Sequence, residues 1–307
     1  MIVVKMMGGL GNQIFQYAYA RHLQEIYGDE IVLDISAYNK YKIRNFSLEN
    51  LNIDVSMITS DVNEIINIDK NYAKIIRRQR KYRVLQKISK IILGNDSFKR
   101  KYFFRNINKG EYFNFSPYYF LAPEVTTENK YIYGYFQTDK FFYNINIFDD
   151  CSLKTPLSKI ATEYLSLINK VDSSAISIRW GEDYKKLENF NICDKDYYYL
   201  ALDEMTKNKT IDQLIIFTDE VEKVKEDFDF SNYANEIIII EKVTDYESLF
   251  LMSQCSDFII SNSSFSWLGA YLSKRKVDKK IYVPEIWYKD YPHLKEIYTK
   301  DMIKIRI

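Results

Sequence analysis

Apolar residues in this chain come in short blocks set between longer polar or amphipathic stretches. The blocks at 2–6 and 31–35 are too short for helices and lack strict alternation, which predicts buried strands. Between them, residues 14–23 bring Phe15, Ala18 and Leu23 near one side of a predicted helix. A further strand is predicted over 131–137, and Asp149-Asp150 with Thr155-Pro156 has the composition of a linker. Beyond it the alternation is regular. Strands are predicted at 174–178, 213–217, 236–240, 258–260 and 280–284, with helices around 160–167, 196–205 and on both sides of 258–260. Apolar strands alternating with helices predict an α/β fold on parallel sheets covered on both faces. A length of 307 residues suits two domains, placed at 1–155 and 156–307.

Residues 60–121 interrupt the pattern. From Lys70 to Lys109 the basic residues face a single acid, Asp96, and Ile75, Ile76, Leu85, Ile88, Ile91 and Ile92 form an uneven apolar stripe on a predicted helix. Two readings of this basic insertion, about 70–110, stand open: a solvated face, or an arm that leans on anionic lipid or an anionic acceptor. Over the whole chain the net charge is only +1, so nothing global points to nucleic acid, and no nucleic-acid motif is present. No apolar run reaches the roughly 20 residues that cross a bilayer. The chain enters a strand at once, and no signal peptide is expected. Cys151, Cys193 and Cys255 are odd in number and widely spaced, which fits neither a zinc site nor a disulfide framework and points to a reducing cytoplasm. With only His22 and His293 present, histidine-dependent hydrolysis and a metal site are not expected, and a general base should be a carboxylate.

Ligands of open parallel sheets bind beyond the carboxyl ends of the strands. That rule selects three loops in the second half: Arg179-Trp180-Gly181-Glu182-Asp183-Tyr184, Thr218-Asp219-Glu220 and Ser261-Asn262-Ser263-Ser264. The last opens a helix, whose first N–H groups and dipole form a seat for phosphate oxygens. Read as a site, Asn262, Ser263 and Ser264 bind such a group; read structurally, they only cap. Arg179 offers a planar fork of donors to the same oxygens. Asp219 can accept from a guanine N1–H and N2–H₂, or else cap a helix starting near Val221. Glu182 and Asp183 can orient Arg179, take a proton from an acceptor hydroxyl, or serve as turn residues. At the other end of the chain, Gly8-Gly9-Leu10-Gly11-Asn12-Gln13 follows the first strand. It is neither a dinucleotide fingerprint, since Ile14 stands where a third glycine would be, nor a P-loop. A structural turn and a ligand site are equally open there.

The segments GGLGNQIFQYAYA, YGYFQTDKFF, SIRWGEDY, IIFTDE and LMSQCSDFIISNSSFSWLGAYL, in this order, resemble glycosyltransferase family 11, which holds bacterial and animal α-1,2-fucosyltransferases. The similarity runs from residue 3 to about 287. It implies a GT-B fold, two Rossmann-like domains facing a central cleft, with an acceptor-side first domain and GDP-fucose bound mainly by the second. It further implies inversion at the fucose anomeric carbon, no required metal and no cofactor besides the donor. The expected reaction moves L-fucose to a glycan hydroxyl, O-2 of a galactoside, as in lipopolysaccharide or capsule synthesis. Partners would be GDP-fucose and an oligosaccharide or lipid-linked glycan, and the arm reading of the basic segment adds peripheral contact with an anionic membrane at its inner face. The family's usual His-x-Arg-Arg-Gly-Asp-Tyr loop is altered: Ser177 replaces the histidine, Arg179 is kept, Trp180 replaces the second arginine, and one extra residue lets Glu182 or Asp183 fill the aspartate position. The loss of one cation either weakens the case for the usual donor or is compensated by Lys185 or Lys186. The catalytic candidates are Arg179, Asp183 and Glu182, and the donor-binding candidates Gly9, Gly11, Asn12, Gln13, Ser177, Asp219, Asn262, Ser263 and Ser264. Another nucleotide sugar, another linkage, or an inactive nucleotide-sugar-binding relative are the alternatives.

Overall fold

Two runs of parallel strands organise the chain. A computed structural model describes residues 1–40, 43–92, 95–186, 188–207 and 210–306, with the side chains of 89–97 and 183 left aside. It divides into two compact units, Met1–Cys151 and Ser152–Ile307.

In the first unit, β1 (Ile2–Lys5) is the centre of a five-stranded sheet. β2 (Ile31–Asp34) and β3 (Met57–Thr59) lie on one side of it, β5 (Lys130–Gly134) and β4 (Glu111–Asn114) on the other, and every pairing is parallel. Val4 pairs with Leu33 and with Ile132, so the buried aliphatic runs of three strands are in register. Helix α1 (Leu10–Tyr27) buries Ile14, Phe15, Tyr17 and Ala18. It begins four residues earlier than periodicity predicts, because Gln13 N–H closes a first turn onto Gly9 O at 3.1 Å and the glycine-rich segment needs no side-chain cap.

The strand predicted over 131–137 stops at Gly134. This glycine has φ +157°, and a Cβ there would lie 1.7 Å from the Asn114 carbonyl oxygen, so only glycine fits where the two backbones meet. Phe136 then takes φ +54° and turns the chain out of the sheet. Its buried ring stacks on Tyr19 with centroids 4.3 Å apart, which offsets the backbone strain.

After α2 (Val62–Ile68), the basic insertion folds as α3 (Tyr72–Ile92) and α4 (Asn95–Ile107). Its inner stripe differs from the isoleucine stripe expected. Tyr72, Ile75, Gln79 and Tyr82 face inward at helical spacing, and Phe98 and Tyr102 of α4 pack on Tyr82. Ile88 points outward, while Ile91 and Ile92 lie outside the described side chains. Aromatic rings with a polar tip serve here where aliphatic residues were anticipated.

The second unit carries a six-stranded parallel sheet ordered β11 (Met302–Ile305), β10 (Ile281–Pro284), β9 (Asp257–Ile260), β6 (Ser173–Ile178), β7 (Ile211–Thr218), β8 (Ala234–Ile239). Ile176 of β6 pairs with both Ile216 and Ile259, which puts the most apolar strands in the middle. Helices α5 (Lys159–Ile168), α6 (Glu182–Lys185), α7 (Lys195–Thr206), α8 (Val221–Asp227), α9 (Asp245–Ser253) and α10 (Ser264–Tyr271) connect the strands. Tyr197, Ala201 and Leu202 of α7 join Ile176, Leu214, Ile216 and Ile259 in one core, each fully buried. At roughly 1.5–3 kcal/mol per fully buried large apolar side chain, this layer dominates the unit's stability.

The connectivity fixes where each sheet can bind. From β6 the chain moves outward through β7 and β8, then returns to β9 on the other side and moves away through β10 and β11. The order reverses between β6 and β9, and in the first unit between β1 and β5. Such switch points leave a crevice beyond the strand ends.

Candidate active site

The loops after β6 and β9 flank the switch point of the second unit. After β9, Ser263 is the N-cap of α10 with extended backbone, φ −121° and ψ 133°, yet its hydroxyl makes no capping hydrogen bond and the first turn holds no acid. The uncompensated positive end of the helix, about half an elementary charge, therefore opens beside half-buried Ser263 and Ser264. Ser266 in the same turn is buried. Its hydroxyl pairs with Ser177 Oγ at 2.6 Å and Ser261 Oγ at 3.4 Å, which pins the start of α10 onto β6. Ser177, expected among the donor ligands, is thus consumed inside this hydroxyl cluster.

Asn262 also turns inward. Its Nδ2 donates to the carbonyls of Phe190 and Trp287, both at 2.9 Å, and its Oδ1 accepts from Tyr184 Oη at 2.5 Å and from the Cys193 thiol at 3.6 Å. With these contacts made and the side chain buried, Asn262 ties loops together instead of facing a ligand.

Arg179 leaves the end of β6 partly exposed. Its Nε lies 3.4 Å from Asp219 Oδ2, its guanidinium carbon 5.9 Å from the centre of the Tyr184 ring, and its backbone N–H donates to Tyr198 Oη at 3.2 Å. Asp219, at the end of β7, accepts from Trp180 N–H at 2.8 Å and Gly181 N–H at 3.3 Å. It does not cap α8, whose N-cap is Glu220 without a side-chain cap. The carboxylate instead clamps the Arg179 loop, and its oxygens already take two backbone N–H donors and pair with the Arg179 guanidinium, which removes much of its capacity for a guanine edge. Trp180 turns toward α8: Nε1 donates to Asp227 Oδ2 at 2.5 Å and the ring meets Phe228 at 4.9 Å. The Lys185 ammonium sits 4.5 Å from the centre of the same ring, so one of the two lysines named for the missing arginine is held on the indole face, while Lys186 is exposed. Glu182 is exposed, with Oε1 3.7 Å from Lys223 Nζ. The Asp183 side chain lies outside the described residues.

In the first unit, the loop after β1 meets the loop after β5 at the other switch point. Gly8 has φ +82°, and a Cβ there would lie 2.5 Å from Asn12 Nδ2, so this turn requires glycine. Gln137 Nε2 donates to Asn12 Oδ1 at 2.6 Å, joining the two loops. Tyr38 Oη donates to Gly8 O at 2.7 Å. Gln13 is fully buried: Nε2 donates to Gly8 O and Asn45 O, and Oε1 accepts from Ser47 and Leu48 N–H at 2.9 and 3.0 Å. It braces the loop and has no capacity left for a sugar. Gly9 is the N-cap of α1, and Gly11 is buried in its first turn.

A model described as Glycosyl transferase family 11 matches residues 1–306. The chain belongs to this family. Among similar proteins, the O-antigen biosynthesis glycosyltransferase WbnK of Escherichia coli is 28% identical over 302 residues, covering 92% of this chain and 93% of that protein. An alpha-1,2-colitosyltransferase of Escherichia coli is 27% identical over 305 residues, covering 94% and 92%. Among solved structures, the fucosyltransferase NodZ from Bradyrhizobium superposes with a TM-score of 0.50 at 12% identity, covering 88% of this chain and 92% of that one. That likeness concerns the fold. Two parallel-sheet units connected in this way are of the GT-B type.

For this family 11 glycosyltransferase, the structure brings Arg179, Asp219, Ser263 and Ser264 to the ends of β6, β7 and β9. It diverts Ser177, Asn262 and Gln13 into structural bonds. Three residues that brace these loops, each within its own unit, escaped the sequence reading. Tyr184 stood inside the quoted SIRWGEDY segment and Gln137 inside YGYFQ, but a motif does not say which polar groups bond to each other. Ser266 stands in the first turn of α10 inside the quoted segment that ends in SFSWLGAYL, where nothing marks it as the partner of Ser177. Among the described residues, no group of His, Cys, Asp and Glu could hold a metal ion, and no helix is long and apolar enough to cross a membrane.

Proposed function

We propose that this chain is an inverting fucosyltransferase that moves L-fucose from GDP-fucose to a glycan hydroxyl, O-2 of a galactoside. The observation that carries this reading is the pairing, at one switch point, of an uncapped helix terminus on α10 with the Arg179 guanidinium at the end of β6. Both suit the diphosphate of a nucleotide sugar. Asp219 holds Arg179 and its loop in place. As the bond from the fucose anomeric carbon to the β-phosphate oxygen breaks, negative charge grows on that phosphate, and preorganised donors stabilise it. The acceptor oxygen attacks the anomeric carbon from the opposite face, which inverts the configuration, and its proton passes to a carboxylate, Glu182 or Asp183. In the first unit, Asn12 is held through Oδ1 by Gln137 and offers its Nδ2 to an acceptor hydroxyl. The buried thiols of Cys193 and Cys255 suit work in the reducing cytoplasm.

A second donor is favoured by one observation, the relative named an alpha-1,2-colitosyltransferase. Colitose is the 3-deoxy analogue of L-fucose, so nucleotide and anomeric chemistry stay the same. A site that hydrogen-bonds the 3-hydroxyl rejects the deoxy sugar by about 10⁴-fold, whereas an apolar pocket discriminates only about 10²-fold. The test is turnover of GDP-fucose and GDP-colitose on a galactoside, with the product linkage read by NMR. The proposal expects an α-1,2-fucosyl product. Exclusive use of GDP-colitose would replace the donor, and GDP binding without turnover of either would leave a nucleotide-sugar-binding relative.

A further inference from the structure

Helix α3 has an inner face that the core explains and an outer face that it does not. Tyr72, Ile75, Gln79 and Tyr82 are buried. On the opposite side, Arg77, Arg80, Lys81, Val84, Lys87 and Ile88 are exposed. Val84 is 57% and Ile88 46% exposed, one turn apart and flanked by the four cations. Residues 72–88 carry seven Lys and Arg and residues 98–107 of α4 four more, with no Asp or Glu in either stretch. Two of these cations have internal work: Arg78 pairs with the buried Glu111, and Arg83 lies 4.7 Å over the Phe115 ring. Among the described residues, Arg77, Arg80, Lys81 and Lys87 enter no ion pair.

We propose that the outer face of α3 docks on an anionic phospholipid bilayer. Four unpaired cations on one helix face attract a negatively charged surface, and two exposed aliphatic side chains between them can enter the boundary between headgroups and acyl chains. A phosphate backbone would meet the same cations but leave Val84 and Ile88 against charged oxygens, where their burial gains little. The long stems of Lys and Arg let their heads reach the headgroups while the helix axis lies in the interface. This inference is independent of the donor and acceptor assigned above.

The test is sedimentation of the full chain with vesicles of phosphatidylcholine alone or with one third phosphatidylglycerol, at about 0.05 M and about 0.5 M salt. Binding to the anionic vesicles at low salt, lost at high salt and absent with neutral vesicles, is the expected result. Each cation near the surface accounts for about fivefold in affinity, so R77Q/R80Q/K81Q/K87Q should lose ~100-fold or more. V84S/I88S, which keeps the four cations and the charge of the face, should also bind vesicles more weakly. Thermal melting of both variants confirms folding, since every changed side chain faces solvent. Absence of anionic-vesicle binding overturns the proposal. So does vesicle binding that V84S/I88S leaves unchanged, or duplex DNA that displaces the vesicles and binds V84S/I88S as tightly as the unmodified chain, which would make the face a general polyanion surface.

Discussion

The Tyr184 hydroxyl donates to Asn262 Oδ1 at 2.5 Å and so joins the loop after β6 to the loop after β9. The same oxygen accepts from the backbone N–H groups of Ile192 and Cys193 at 3.3 and 3.2 Å. Burial pushes the phenol pKa far up, so Tyr184 is a neutral donor at any working pH. Arg179 leans on one side of this contact and the start of α10 follows directly from the other. The two groups assigned to the diphosphate are therefore positioned by one buried polar pair.

Tyr184→Phe keeps the ring and deletes the hydroxyl. Asn262 Oδ1 is then left with the weak thiol contact at 3.6 Å, and two backbone donors lose an acceptor. The cost is about 1–3 kcal/mol, a fall in Tm on the order of 5 °C. Because both loops loosen, GDP affinity measured by calorimetry should fall as well. A variant that melts earlier but binds GDP with unchanged affinity would separate this pair from the site.

Arg179→Ala should lower kcat at least ~100-fold, as removal of a preorganised donor to a developing charge does. Arg179→Lys should recover little of it, because an ammonium is a point charge and cannot hold Asp219 and a phosphate with one planar fork. The two rates, measured at saturating donor beside a thermal melt, decide the matter. Near-normal turnover in either variant refutes the role.

Much of this arrangement was legible in the chain, and the limits have physical causes. The apolar blocks at 174–178 and 258–260 each run into small or charged polar residues, and an uninterrupted buried strand followed by such residues ends at a functional edge in a parallel sheet. The position of Arg179, Asp219 and Ser263 followed from that rule. The direction of a side chain did not. Asn262 and Gln13 have the composition of ligands, yet each is saturated by groups that meet it only once the chain is folded: two backbone carbonyls, the Tyr184 hydroxyl and the Cys193 thiol for Asn262, and backbone groups alone for Gln13. Trp180 marks the same limit: its indole was placed by Phe228 and Asp227, both more than forty residues away. Local backbone was also hidden. Nothing in Tyr135-Phe136-Gln137 announces a positive φ at a phenylalanine, which the packing of its buried ring on Tyr19 and Phe141 sustains. On α3 the uneven isoleucine stripe concealed a tyrosine face, because tyrosine counts as half polar in any periodicity reading.

Glu247 links the starts of two helices. Its Oε2 accepts from the Thr244 N–H and hydroxyl at 3.0 and 2.9 Å at the start of α9, and its Oε1 accepts from Ser158 N–H at 2.7 Å at the N-cap of α5. Desolvation opposes the charged form, but the hydrogen bonds from Thr244 and Ser158 outweigh it and hold the carboxyl below its ordinary value. A depressed folded pKa means that the unfolded chain binds the proton more readily. The stabilisation is complete above the unfolded value of about 4.3 and is lost as pH falls through the folded one. Glu247→Gln should therefore melt earlier than the unmodified chain at pH 7, by an amount that shrinks as pH is lowered toward 3. A gap in Tm independent of pH would show that geometry, not charge, is what the carboxylate contributes.

Ser264→Asp sets stability and binding against each other at the start of α10. Ser264 is the first residue of a helix whose N-terminus has neither a capping side chain nor an acid in its first turn. A carboxylate there complements the helix dipole and should stabilise the unit by about 0.3–1 kcal/mol. A diphosphate seated at the same terminus would meet that carboxylate as a like charge at close range, so GDP affinity should fall by ~10-fold or more. The two measurements move in opposite directions only if the helix terminus and the nucleotide share the same positive end. If melting temperature and GDP affinity both rise, or affinity is unchanged, the diphosphate does not bind at α10 and the assignment of Ser263 and Ser264 fails with it.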